Sequence, residues 1–493
     1  MLNFLFAAVT AILLILTVPR FEIGWLAPVA LVPLIFALAR EPRWRWRFLL
    51  GWLAGVLYWF GVCYWIQGVL YQYGGLGQFA AWASFLLFCA AKALHLAVFS
   101  ALAGYVLRAW YAIPAVAALW TGIERTHGPL GFTWYLLGNS AVDMEAPMRL
   151  APYVGIYGLS FILVMMNVAV VLVMLRRPRR EILWLVSLPL LYLLPNMPLP
   201  EKPERVAAVV QPNIAEETRW TPESADAMQR SFELLSLQAA LKGDEPPVDL
   251  VIWPEVPAPL YYFEDPVLRK RVAGVARLAG AHVLMGTVAH APDASPLNSA
   301  VMVKPDGEAE GRYDKIFLVP FGEFVPPLFG FINQITTEAG EFKPGEKVVT
   351  FPVNGQGVGP FICYESVFPH LVRKITGNGA HLLVNLSNDG YFARSAAREQ
   401  HLNIVRMRAA ENRRWIVRAT NDGITVSIDP AGRIRQRLPA YERLSDRLSY
   451  SYLSGVTFYT RYGDWFAWSC LAAGLLLVLV SQIPVYRPEE QRR

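Results

Sequence analysis

The chain is short of charge and of cysteine. Asp, Glu, Lys and Arg make up 17% of its 493 residues, against 54% hydrophobic. Soluble globular chains carry about a quarter charged residues, so part of this one must lie in an apolar solvent. No Cys-x-x-Cys or His-Glu-x-x-His spacing occurs, which argues against a bound metal, and no glycine-rich loop is present to cradle a nucleotide phosphate. No cofactor is implied. Repeats and low-complexity tracts are also missing. A net charge of +6 suggests nucleic acid at first sight, but the arginines cluster in short segments between apolar runs, so no nucleic-acid partner is expected.

Eight apolar runs are candidates for membrane spans, since roughly 20 helical residues cross a bilayer core. They lie near 2–18, 23–39, 48–69, 78–106, 107–123, 152–175, 182–195 and 465–485. The first, second and seventh are short, and the division around Arg108 is ambiguous. The first run lacks a basic start and a small-residue cleavage site, so it reads as a retained helix. Arginines crowd the loop after the second run (Arg40, Arg43, Arg45, Arg47), the loop after the sixth (Arg176, Arg177, Arg179, Arg180) and the end of the chain (Arg487, Arg492, Arg493). Basic loops favour the cytoplasmic side. All three clusters agree on eight crossings with both termini inside and residues 199–458 outside.

That long excursion is large enough for its own core. Strand-like runs at 206–211, 248–255, 283–287, 299–304, 347–353, 359–363, 381–385 and 415–419 alternate with helical patterns at 225–242, 266–278 and 400–412. This alternation predicts an α/β layered domain. The expected organisation is a seven-span membrane domain over 1–198, a catalytic domain over 199–458, and an eighth span with a tail over 459–493.

Three of the four cysteines (Cys63, Cys89 and Cys470) sit inside apolar runs and Cys363 alone belongs to the exported domain. An unpaired thiol in an oxidising compartment is a liability unless its reactivity is used. Cys363 closes the apolar run Gly359-Pro360-Phe361-Ile362, and a strand end is where an α/β fold projects reactive groups. A thiol needs a base and a home for the developing oxyanion. The domain's histidines (His282, His290, His370, His381 and His401) fall in no recognisable arrangement with it and read as surface or structural. Glu255 ends the run Val251-Ile252-Trp253-Pro254. Lys315 lies in Tyr313-Asp314-Lys315, just ahead of Val319-Pro320-Phe321-Gly322-Glu323. Singly, each is an ordinary surface charge.

Together, Trp253-Pro254-Glu255, Tyr313-Asp314-Lys315 with Phe321-Gly322-Glu323, and Ile362-Cys363-Tyr364-Glu365 follow an order that resembles the nitrilase superfamily. Ser387-Asn388-Asp389, Asn421-Asp422-Gly423 and the segment from Phe458 to Asp464 extend the likeness. With the apolar runs on either side, the whole chain resembles the membrane-embedded apolipoprotein N-acyltransferase family of Gram-negative bacteria. The resemblance implies an α-β-β-α sandwich with a Glu255–Lys315–Cys363 triad in the periplasm, on a multi-pass inner-membrane protein that is a monomer. It further implies acyl transfer from a phospholipid, typically phosphatidylethanolamine, through a thioester to the α-amine of diacylglyceryl-cysteine on an apolipoprotein. Glu255 would be the base, Lys315 the cation that meets the oxyanion and lowers the thiol pKa, and Cys363 the nucleophile. Glu323 would orient Lys315 or the thiol, Tyr364 and Glu365 would position the backbone around Cys363, and Trp220 would stand near the site mouth. The aromatic-rich loop 318–331, with Phe324 and Phe329, could dip into the lipid interface. Lys92, inside the fourth run, is either functional or snorkelling. Competing readings are a membrane-tethered amidase of nitrilase type and a transporter with a periplasmic binding module.

Overall fold

The computed structural model describes residues 1–128, 132–195, 202–243, 246–255, 257–320, 322–324 and 342–483. Part of the 318–331 loop, Phe329 included, lies outside these residues, as do the 198/199 boundary and the terminal Arg487, Arg492 and Arg493.

The first 174 residues form α1 (Leu2–Leu16), α2 (Val32–Arg40), α3 (Trp44–Cys63), α4 (Trp65–Gln72), α5 (Gln78–Val106), α6 (Ala112–Arg125), the single turn α7 (Glu145–Met148) and α8 (Ala151–Met174). Among the described residues three helices, α3, α5 and α8, are long and apolar enough to cross a membrane, with 20, 29 and 24 residues. Others fall short of the expected eight for local reasons. The 23–39 run carries Pro28 and Pro33, which interrupt helical bonding, so only α2 and a short 3-10 turn, Gly24–Leu26, form there. The 182–195 run forms two 3-10 segments, Arg179–Ser187 and Pro189–Leu193, divided ahead of Pro189. The third run breaks after Cys63 into α3 and α4, whereas the doubtful division near Arg108 holds, because α5 stops at Val106.

Irregular backbone inside an apolar bundle must find its hydrogen bonds within the protein. Asn167 of α8 supplies them: its Nδ2 donates to the Ala27 carbonyl at 2.8 Å, and its Oδ1 accepts from the Leu31 amide at 2.7 Å. Lys92 is buried rather than snorkelling, for its ammonium meets His127 and the Phe132 carbonyl beneath the Trp59 and Phe132 rings.

The second part is the expected sandwich. Its strands are β1 (Arg205–Gln211), β2 (Leu250–Trp253), β3 (His282–His290), β4 (Pro296–Val303), β5 (Ala309–Asp314), β6 (Phe351–Val353), β7 (Gln356–Ile362), β8 (Leu382–Ser387), β9 (Ile416–Thr420), β10 (Val426–Ile428), β11 (Ile434–Arg437) and β12 (Leu444–Tyr450). They build two six-stranded sheets ordered β12-β1-β2-β3-β4-β5 and β11-β10-β9-β8-β7-β6. Side chains alternate across a strand. In β1, Ala207 and Val209 therefore face the other sheet and join Ile252, Val384 and Val417 in the central core. Ala208 and Val210 point the opposite way, onto α9 (Pro222–Ala240) and α10 (Pro266–Ala279).

The second sheet is covered by α11 (Pro369–Gly377) and α12 (Ala397–Asn412). Their core is continuous with Trp59, Phe85 and Cys89 of the membrane helices. All of α12 except Glu399 is buried, and it is polar enough to read as a surface helix. Its charges are consumed by partners instead. Arg408 pairs with Glu411, whose Oε1 accepts the Ile156 amide of α8 at 2.9 Å. The chain then returns through α13 (Phe458–Tyr462) to α14 (Trp465–Ser481), a shorter apolar helix against α6.

Gly155 breaks α8 beside this junction with a φ of 64°, and an added Cβ would stand 2.6 Å from the Tyr459 ring. Gly155→Ala should therefore cost about 1–3 kcal/mol and lower the melting temperature in detergent. Gly68→Ala, where a Cβ meets nothing within 4 Å, should leave it level or higher. Equal melting temperatures for the two variants would contradict this junction.

Candidate active site

The predicted residues converge at the carboxyl ends of strands. Glu255 follows β2, Lys315 follows β5 and Cys363 follows β7, so the two sheets contribute to one cleft. Lys315 is 1% exposed, and its Nζ lies 2.8 Å from Glu323 Oε1 and 3.2 Å from Glu255 Oε1. Burial opposes its charge, but Glu255 and Glu323 more than reverse that and hold its pKa well above the usual lysine value. Lys315 therefore stays an ammonium ion.

Asn298, near the start of β4, was not foreseen. Its Nδ2 donates to Glu255 Oε1 at 2.7 Å and to Glu323 Oε1 at 2.6 Å, while its carbonyl receives the Lys315 amide at 2.8 Å. Glu323 Oε2 in turn accepts from the Val319 amide at 2.7 Å. Both carboxylates are thus oriented toward one ammonium. Asn298 stands beside Ser299, ahead of the apolar stretch 300–303, so the strand pattern alone does not single it out.

Cys363 occupies the left-handed region at φ 48°, a conformation that costs about 1–3 kcal/mol and persists only where its surroundings enforce it. Two devices do so. Glu365, fully buried, accepts from the Ile362 amide, the Ile316 amide and the Tyr313 hydroxyl, each at 2.7 Å, tying the Cys363 turn to the Lys315 turn. Burial nevertheless pushes its carboxyl up to about 7. On the other side, His401 Nε2 donates to the Cys363 carbonyl at 3.1 Å. His401 is itself held by Asp389, which forms a wholly buried ion pair with Arg418 at 2.8 Å. His401, which reads from the sequence as surface or structural, thus lies directly beneath Cys363.

Asn388 connects the thiol to the carboxylate. Its backbone amide donates to Glu255 Oε2 at 3.0 Å, and its carbonyl accepts from Cys363 Sγ at 3.9 Å. The remaining two predicted residues are placed differently. The Tyr364 ring turns from the cleft toward Phe132 and Phe368, and its buried hydroxyl meets no partner among the described residues. Trp220 donates from Nε1 to the Pro257 carbonyl at 3.0 Å, bracing the loop after Glu255.

The thiol's ionisation departs from the simple expectation of a depressed pKa. Burial raises it first and Glu255 raises it further, against the lowering by Lys315, so the resting group is a neutral thiol. Ionisation must then be driven during attack by proton transfer to a neighbouring base.

A carbon-nitrogen hydrolase family model matches residues 206–446, and an apolipoprotein N-acyltransferase N-terminal domain model matches residues 10–169. An apolipoprotein N-acyltransferase of Geobacter metallireducens is 33% identical over 97% of this chain and 95% of its own length. One from Azotobacter vinelandii is 34% identical over 74% of this chain and 72% of its own. Among solved structures, an amidase from Nesterenkonia sp. is 19% identical with a TM-score of 0.38, covering 54% of this chain and 95% of the amidase.

A neutral resting thiol predicts slow alkylation of Cys363 by iodoacetamide at pH 7. The rate should climb steadily beyond pH 9, the range of an ordinary cysteine. A plateau below pH 7, the mark of a stored thiolate, would contradict the assignment.

Proposed function

The chain belongs to the apolipoprotein N-acyltransferase family, and on that premise we propose how its cleft performs acyl transfer. An acyl chain leaves a membrane phospholipid, rests as a thioester on Cys363, and passes to the N-terminal amine of diacylglyceryl-cysteine on an apolipoprotein. The observation that carries this reading is the Asn388 bridge, with the thiol on its carbonyl and Glu255 on its amide.

In the first half-reaction Glu255 takes the Sγ proton as sulfur bonds to the ester carbonyl carbon. The negative charge that forms on the carbonyl oxygen is met by the Lys315 ammonium, a preorganised cation in a water-poor site. When the tetrahedral adduct collapses, the carbon–oxygen bond breaks. The departing alkoxide takes the proton from Glu255 and leaves as lysophospholipid. In the second half-reaction the amine nitrogen bonds to the thioester carbon, Glu255 accepts an N–H proton, the carbon–sulfur bond breaks, and sulfur recovers that proton. One site serves both halves, which gives ping-pong kinetics. A thioester suits the task because it retains enough group-transfer potential to acylate an amine.

Glu323 and Asn298 act through Lys315, and Tyr364, Glu365 and Trp220 shape the surrounding backbone. The donor we favour is phosphatidylethanolamine, and the working unit a monomer. The catalytic domain stands at the outer face of the bacterial inner membrane, with eight crossings and both termini in the cytoplasm. The 3-10 stretch from Arg179 to Leu193 is compatible with a seventh crossing. Without the charged residues 179–181 its apolar length is roughly 24 Å at about 2.0 Å rise per residue, so this crossing would be a short one against a bilayer core of about 30 Å. An amidase of nitrilase type would use the same three residues and differ only in its acyl acceptor. The N-acyltransferase relatives of this chain and the match of its first half to their N-terminal domain favour an amine acceptor over water and over a transport role.

Cys363→Ala, at unchanged protein level, should abolish N-acylation of a diacylated lipopeptide. Glu255→Gln should slow lysophospholipid release by about 10²–10⁴-fold, the range of a lost general base. N-acylation that persists in Cys363→Ala, or lysophospholipid release within a few-fold of wild type in Glu255→Gln, would sink the proposal.

A further inference from the structure

The second half-reaction has a proton that the groups described so far do not handle. An α-amine near neutral pH arrives largely as ammonium, since its ordinary pKa is about 8. It must lose one proton before attack and another as the amide forms. Glu255 and the sulfur exchange only the second of these.

Glu216 stands on the same bridge. Its Oε1 accepts from Asn388 Nδ2 at 2.7 Å, while the Asn388 backbone holds Glu255 and the thiol. Asn388 is itself fixed, because its Oδ1 receives the Gly390 amide and Asn421 Nδ2, each at 3.1 Å. A Cβ at Gly390 would strike Glu216 Oε1 at 2.1 Å, so the loop leaves room for this carboxyl. The titratable groups that act on it are Asp422, Glu255 and Glu217, with the hydroxyls of Tyr73 and Tyr391. None of these is a cation, although Asp422 is itself paired with Arg398 at 2.7 Å. Lys315, by contrast, is engaged by Glu255 and Glu323.

We propose that Glu216 receives the ammonium group of the apolipoprotein acceptor and takes its first proton, delivering a neutral amine to the thioester on Cys363. The proton balance is complete: the nitrogen–hydrogen electron pair stays on nitrogen, the proton moves to a Glu216 oxygen, and from there it leaves to water. Burial first, and then Asp422, Glu255 and Glu217, push this carboxyl up to about 8 against the Asn388 hydrogen bond. That matches the acceptor's own range and suits a base working near neutral pH. The inference rests on the two-step reading above and adds recognition of the acceptor to it.

The test separates the half-reactions in Glu216→Gln and in the conservative Glu216→Asp. Acyl-Cys363 formation is followed by mass spectrometry with phosphatidylethanolamine or with phosphatidylglycerol, which lacks an amine. Transfer is followed after adding a diacylated lipopeptide. At pH 7, Glu216→Gln should slow transfer at least about tenfold more than it slows thioester formation from either donor. The defect should shrink as pH rises to 9.5 and solvent supplies free amine, and Glu216→Asp should recover part of the rate. Equal slowing of both steps would overturn the proposal in favour of a role in fixing Asn388. Slowing confined to thioester formation from phosphatidylethanolamine would overturn it by assigning the carboxyl to the donor head group. Failure of the wild-type protein to form acyl-Cys363 would instead refute the two-step reading itself.

Discussion

The site depends on one buried ammonium shared between two carboxylates. Burying Lys315 without partners would cost several kcal/mol, and either carboxylate without it would fare no better. Together, with Asn298 donating to both, they form a set in which no member can be removed cheaply. Lys315, Asn298 and the Asn388 amide together fix the Glu255 carboxyl in one orientation. Burial first, and then the Glu255 charge, keep Cys363 a neutral thiol at rest against the lowering by Lys315.

The second constraint is the backbone of Cys363. Its left-handed conformation is enforced from one side by Glu365, which clamps the Cys363 and Lys315 turns, and from the other by His401 on the Asp389–Arg418 pair. Removing one member of a wholly buried pair typically costs 3–5 kcal/mol, so this floor is rigid. On the far side of it, Tyr364, Phe368 and Phe132 join the apolar core that runs into the membrane helices. Cys363 therefore sits between a polar cleft and a hydrocarbon-like layer, a fitting position for chemistry on a lipid ester.

Much of this was legible in the sequence because it depends on chain-local signals. Glu255 and Cys363 each follow an apolar run, Lys315 stands out only through the order of the motifs around it, and the core strands of both sheets announce themselves by β-branched residues. What stayed hidden depends on partners distant in sequence. Helix α12 is rich in Arg and Glu and reads as a solvated face, but Arg408, Glu411 and Arg406 are all buried against other segments. Strands β5, β11 and β12 are polar along much of their length, and pattern alone does not distinguish them from loops. In the membrane part, hydropathy located apolar runs but not how prolines divide them, and the prolines at 28, 33 and 189 decide where helices stop.

The most direct test of the central claim is the mass of the Cys363 peptide after incubation with phospholipid alone, followed by a chase with diacylated lipopeptide. The account predicts one acyl group per chain on that peptide, labile to neutral hydroxylamine, and its quantitative transfer to the lipopeptide amine. Product formed with no acyl group ever appearing on Cys363, or an acyl group lodged on a different residue, would contradict it.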